Sequence, residues 1–112
     1  VVVAHDSDFM KLAGVDLKIW DATMADLTEI DIGSWFDPIY SGERTPTLRQ
    51  ALADVKGRGK VMVEMKYYVH DVSLETHVVG VVEEMEMAID VSVMSLTYYG
   101  DRNKQSLRTD WR

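Results

Sequence analysis

Short apolar, β-branched runs alternate with amphipathic helical stretches along this chain, and that alternation limits its possible folds more than any other feature. VVVA (1–4), VMVEMK (61–66) and VSVMSL (91–96) read as strands, because branched and apolar side chains suit a pleated, buried surface. Thr47 is placed to cap a helix from Leu48 to about Lys56, with Leu48, Leu52 and Val55 along one side and Gly57 and Gly59 closing it. Ser73 is placed to cap a longer helix whose Leu74, Val78, Val81, Val82 and Met85 form an apolar stripe. A last helical stretch is expected from about Asp101 to Arg108. Strand–helix units of roughly 25 residues point to parallel β/α units. Strands this continuously apolar belong in a sheet covered by helices. The expected fold class is α/β.

The remaining segments are less regular. Residues 7–22 read as irregular, with Gly14 as a turn, and Thr23 with Asp26 forms a capping arrangement for a short helix through about Ile30. GSWFDPIYSGERTP (33–46) carries glycine and proline breaks together with Trp35, Phe36 and Tyr40. Aromatic density of that kind marks a structured loop and not a linker. There is no internal repeat and no low-complexity segment.

With 112 residues the chain can build one compact domain with a real core, but not two. Hydrophobic residues make up 46% and prolines number only two, which excludes wholesale disorder. The net charge of −7 argues against nucleic acid or anionic lipid as a partner held by bulk electrostatics. An anionic substrate would need a local cation, either a metal or particular basic residues. The chain has no cysteine, so neither disulfides nor thiolate metal sites arise. No apolar run reaches the roughly 18 residues of a membrane span, and no signal peptide is visible. The chain opens on VVVAHD without a methionine, which reads as a processed, cloned or proteolysed piece of a longer protein.

Chemistry-bearing residues gather where these strands end, which is where parallel sheets place their working groups. Alternation sends Met62, Glu64 and Lys66 to one face of the 61–66 strand and Val61, Val63 and Met65 to the other. A carboxylate and an ammonium so placed can hold a metal ion and an anionic oxygen together, or simply be two charges on a solvated face. One carboxylate is too few ligands for a stable hard-cation site. His5–Asp6, after the first valine run, can be an imidazole poised for proton transfer beside a carboxylate. It can equally be a strand-end histidine satisfied by a backbone carbonyl. Ser95 lies at a third strand end. His70, His77 and the Glu83, Glu84, Glu86 cluster read as surface, and Trp111 as packing. No phosphate-cradling glycine loop, H-E-x-x-H or G-x-S-x-G is present, so nucleophilic serine chemistry has no support.

The order of these motifs resembles the glycerophosphodiester phosphodiesterase family. The resemblance rests on VVVAHD (1–6), DIGSWFDPIYSGERTPTLRQAL (31–52) and VMVEMK (61–66). KYYVHDVSLE (66–75) and SVMSLTYYGDRNKQSLRTDW (92–111) look most like its membrane-associated bacterial branch. It covers essentially the whole chain, with an aromatic-rich insertion at about 31–46. It implies a partial (β/α)8 TIM barrel and hydrolysis of a glycerophosphodiester to glycerol phosphate and an alcohol. It also implies a divalent cation, calcium or magnesium, at the strand ends. By that resemblance His5 is a catalytic histidine, Glu64 a metal ligand, Lys66 a phosphate contact, and Asp6 a neighbour orienting His5. In such a site a metal and a lysine would neutralise developing charge while an imidazole handles the proton.

The chain also departs from the family pattern. A His-Arg-Gly segment with a second histidine and a Glu-x-Asp pair of further metal ligands are expected ahead of the first strand, and neither occurs here. Lys11 stands where many relatives carry arginine. A complete barrel takes about 250 residues. The chain on its own is therefore expected not to hydrolyse the diester or hold the metal, and to self-associate through exposed sheet edges. The competing readings are a non-catalytic interaction module derived from the barrel and a lysophospholipase D-type activity of the longer protein. The residues preceding Val1 discriminate the module from the enzyme.

Overall fold

A computed structural model describes residues 1–69 and 71–96, which divide into two compact units. One unit is Val2–Pro46; the other joins Val1 to the residues from Thr47 onward. The helix expected from about Asp101 to Arg108, together with His70 and Trp111, lies outside the described residues.

The Val2–Pro46 unit folds around Phe9, Leu27 and Ile30, with Val2, Val15, Leu17, Ile19, Ala22 and Ile32 packed against them. Residues 7–22 are more regular than their sequence suggests. Strand β1 (Asp8–Phe9) and strand β2 (Val15–Lys18) pair antiparallel around one helical turn, α1 (Met10–Ala13). Gly14, at φ 68°, provides the left-handed residue that lets the chain reverse. Asp8 faces Lys18 across the pair, and their side chains form an ion pair at 2.9 Å. This hairpin escapes a periodicity reading because β1 is only two residues long. The helix expected from Thr23 is α2 (Met24–Glu29), and its capping box is complete. The Asp26 N–H donates to Thr23 Oγ1, and the Thr23 N–H donates to Asp26 Oδ2.

The valine run at the start is not the buried strand expected of it. Val1 and Val3 are exposed, Val2 is half-buried, and only an isolated bridge forms there. The Val3 N–H donates to the Pro46 carbonyl, and the Leu48 N–H donates to the Val1 carbonyl. A run with so few ladder bonds and no cover over its odd-numbered side chains does not register as a strand, however high its β-propensity.

The second unit holds the larger core. Helix α3 (Leu48–Val55) carries a second capping box, Thr47 with Gln50, and Gly57 takes φ 77° just beyond its end. Strand β3 (Val61–Glu64) and strand β4 (Val91–Met94) pair in parallel, Val61 opposite Val91 and Glu64 opposite Met94. Helix α4 (Ser73–Glu84) connects them, as a parallel pair requires. Buried Leu48 and Leu52 of α3, Val78 and Val82 of α4, and Val91 of β4 share one cluster with Met65, Tyr67 and Met87. Val61, Val63, Leu74, Val81 and Met85 pack against that cluster, so the expected strand face and helix stripe are the ones used. Ser73 is the first residue of α4 and not its cap. Its N–H and its hydroxyl both donate to Asp71 Oδ1, at 2.9 and 2.6 Å. A carboxylate two residues upstream is the stronger acceptor. Among the described residues no helix is long and apolar enough to cross a membrane.

Candidate functional site

Glu64 is the last residue of β3, opposite the last residue of β4, so its carboxylate sits at the carboxyl end of a parallel pair. The backbone there is fixed. The Met65 N–H donates to the Met94 carbonyl at 2.7 Å, carrying the ladder one residue past the strand. Met65 turns into the core while Glu64 and Lys66 flank it on the other side. Lys66 Nζ lies 4.0 Å from Glu64 Oε2, and both side chains are about a quarter to a third exposed. The pair is thus partly withdrawn from water yet open to an approaching ion. Ser95 follows β4 directly and is half-buried.

Tyr67, which sequence reasoning passes over, anchors the segment that follows Lys66. It is buried, its hydroxyl lies 3.7 Å from Met65 Sδ, and it hydrogen-bonds the Glu75 side chain of α4. Burial first, and then the Glu75 carboxylate, push the phenol above its ordinary range, so it stays a donor. A tyrosine eight residues ahead of a glutamate across a helix start gives no periodic signal.

His5 and Asp6 lie in the other unit. His5 is largely exposed, and its Nδ1 is 2.8 Å from Asp6 Oδ1. When Nδ1 carries the proton it donates to that carboxylate, which leaves Nε2 as the basic nitrogen of a neutral ring. His77 is exposed on α4, and Glu83, Glu84 and Glu86 are exposed around its end. Arg49 pairs with Glu84, and Lys56 lies 3.9 Å from Glu86. These acids act as a solvated face.

The described residues supply too few donors to hold a divalent cation by themselves. Among the described residues no three His, Asp or Glu side chains gather to hold a metal ion. Glu64 offers a single carboxylate with an ammonium already beside it, whereas calcium takes 6–8 oxygen ligands.

The Val2–Pro46 unit also carries a tightly tied loop. Asp31 accepts four hydrogen bonds, from the Gly33, Ser34 and Gly42 N–H groups and the Ser34 hydroxyl. Those donors hold its carboxyl well below the usual carboxylate range. Pro38–Tyr40 forms a 3-10 turn capped by Asp37, which accepts from the Ile39 N–H.

The model of the glycerophosphoryl diester phosphodiesterase family matches residues 1–108. A Bacillus subtilis (strain 168) protein, YhdW, provisionally named a glycerophosphodiester phosphodiesterase, is 28% identical over 98 residues. That alignment takes in 88% of this chain and 40% of YhdW. The crystal structure of a glycerophosphodiester phosphodiesterase from Agrobacterium tumefaciens strain C58 superposes with a TM-score of 0.79 at 23% identity. It covers 97% of this chain and 44% of that one, which is a likeness of fold. The chain therefore spans less than half the length of either relative.

Proposed function

We propose, because this chain belongs to the glycerophosphoryl diester phosphodiesterase family, that residues 1–112 are part of one barrel domain that hydrolyses glycerophosphodiesters to glycerol phosphate and an alcohol. The observation that carries the reading is the Glu64–Lys66 pair at the carboxyl end of a parallel strand pair. A partial (β/α)8 barrel is supported by β3–α4–β4 and by the likeness of fold across nearly the whole chain.

Each residue takes a role its chemistry permits. Lys66 contacts a phosphoryl oxygen and offsets the charge that grows on it as the ester bond breaks. His5 moves a proton at Nε2, and Asp6 holds the ring in that tautomer. Glu64 is one oxygen ligand for a divalent cation, calcium or magnesium, whose other ligands are not among the described residues. The aromatic-rich insertion at 31–46 belongs to the same domain. Isolated, the chain is inactive and associates with itself.

The test is hydrolysis of a glycerophosphodiester by a protein that carries these residues together with the rest of a barrel. His5→Ala and Lys66→Met are expected to lower kcat/KM by roughly 100-fold or more, in the range of lost proton transfer and lost charge stabilisation. Variants that stay folded and keep activity within threefold of the parent would remove these residues from the site.

A further inference from the structure

Lys66 stands just past its strand, and the residues on either side of it are the ones that go into the core. Strand β3 ends at Glu64, and the Met65 N–H bond to the Met94 carbonyl carries the ladder only one residue further. A lysine has a long, flexible stem, so its ammonium is placed no better than the backbone that carries it. Met65 and Tyr67 bracket that backbone. They are 4% and 9% exposed, and both belong to the cluster that α3, α4 and β4 build. Alternation between two buried anchors leaves Lys66 on the side away from the core.

Tyr67 is more than apolar bulk. Its hydroxyl lies 3.7 Å from Met65 Sδ, and it donates to the Glu75 side chain. Glu75 is in the first turn of α4, where a carboxylate suits the positive end of the helix. A hydrogen bond to a carboxylate is about twice as strong as one between neutral groups. Burial, and then that carboxylate, push the phenol up, so the proton stays on the tyrosine. One hydroxyl thus ties the residue after Lys66 to the start of α4 and lies against the residue before it. Apolar packing is not directional; this bond is, and it fixes how deep the ring sits.

We propose that Tyr67 is a positioning residue for Lys66, holding the ammonium at the phosphoryl oxygen through its own bond to Glu75. The inference rests on the phosphodiesterase reading above, from which it takes the role of Lys66. Tyr67 itself touches neither substrate nor metal. A displacement of about 1 Å in a group that meets the transition state can cost up to roughly 100-fold in rate. Because Lys66 offsets charge that grows during the reaction, loosening it lowers kcat and leaves KM nearly unchanged.

The experiment is steady-state hydrolysis of a glycerophosphodiester by a protein that carries these residues together with the rest of a barrel. Tyr67→Phe, which keeps the ring, is expected to lower kcat about tenfold with KM within about twofold. Glu75→Ala is expected to reproduce that loss, and Glu75→Gln, which keeps an acceptor, to recover most of it. In a Lys66→Met background, Tyr67→Phe is expected to cost less than about twofold, because no ammonium is left to misplace. In the 112-residue chain itself, the Lys66 amide is expected to exchange its hydrogen at least about fivefold faster in Tyr67→Phe. Unchanged kcat or unchanged Lys66 exchange in Tyr67→Phe would overturn the proposal. So would an equal loss in the parent and in the Lys66→Met background, which makes Tyr67 a core residue only. Should Tyr67→Phe fail to fold, the Glu75 pair decides, and equal losses in Glu75→Ala and Glu75→Gln would overturn it. Parental activity in Lys66→Met would sink the phosphodiesterase role of Lys66 and the proposal with it, whereas the other outcomes arise with that role intact.

Discussion

At the scale of single residues, Asp31 shows how much of the loop depends on one charge. Its four donors favour the ionised carboxylate, so its folded pKa lies below the ordinary value of 3.8. The stabilisation is therefore fully present above the unfolded value and is lost as pH falls from there through the depressed folded one. Near-ultraviolet circular dichroism, which reports Trp35 and Tyr40, is expected to hold constant down to about pH 4 and then collapse. Asp31→Asn should weaken the signal at neutral pH and leave no such acid transition. A wild-type signal unchanged at pH 2 would contradict this. Asp31 gave no sign of this role in the sequence, because its partners are backbone N–H groups placed by the fold, one of them eleven residues away.

At the scale of elements, local chemistry explains what could be foreseen. Two capping boxes, Thr23 with Asp26 and Thr47 with Gln50, start α2 and α3 where a Thr precedes a side chain able to reach back. The split of Val61, Val63 and Met65 from Met62, Glu64 and Lys66 follows from the pleat. What was not legible depends on partners. The first valine run has few ladder bonds, the β1–β2 hairpin turns on a two-residue strand, and Ser73 at the start of α4 donates to Asp71 and does not cap the helix. Tyr67 meets Glu75 because both it and α4 pack into the same cluster, which no spacing along the chain reveals. Leu52, on α3, is 1% exposed at the centre of the larger cluster. Leu52→Ala should destabilise that unit by about 2–5 kcal/mol in urea unfolding. A loss below about 1 kcal/mol would mean that α3 does not seal the core as described.

At the scale of the whole molecule, the chain spans 40% of one relative and 44% of another. The β3–β4 pair is a two-stranded sheet among the described residues, and an open strand edge is a template for pairing. Sedimentation of the 112-residue chain is expected to show dimers or larger species, and a monodisperse monomer would contradict that. Of the expected site residues, Glu64 and Lys66 could be placed together from the pleat of one strand, whereas a cluster of three side chains able to hold a metal ion is absent among the described residues and no alternation within one strand could reveal such a cluster.

If Glu64 and Lys66 serve a phosphodiester site, they are more than a surface ion pair. Exchanging them, as Glu64→Lys with Lys66→Glu, tests this most directly, because a plain ion pair tolerates reversal while a ligand beside a phosphate contact does not. In a protein completing the barrel, the exchanged variant is expected to stay within about 1 kcal/mol of parental stability. Its hydrolysis of glycerophosphodiesters should fall by roughly 100-fold or more. Stability retained together with activity within threefold of the parent would make Glu64 and Lys66 a plain ion pair.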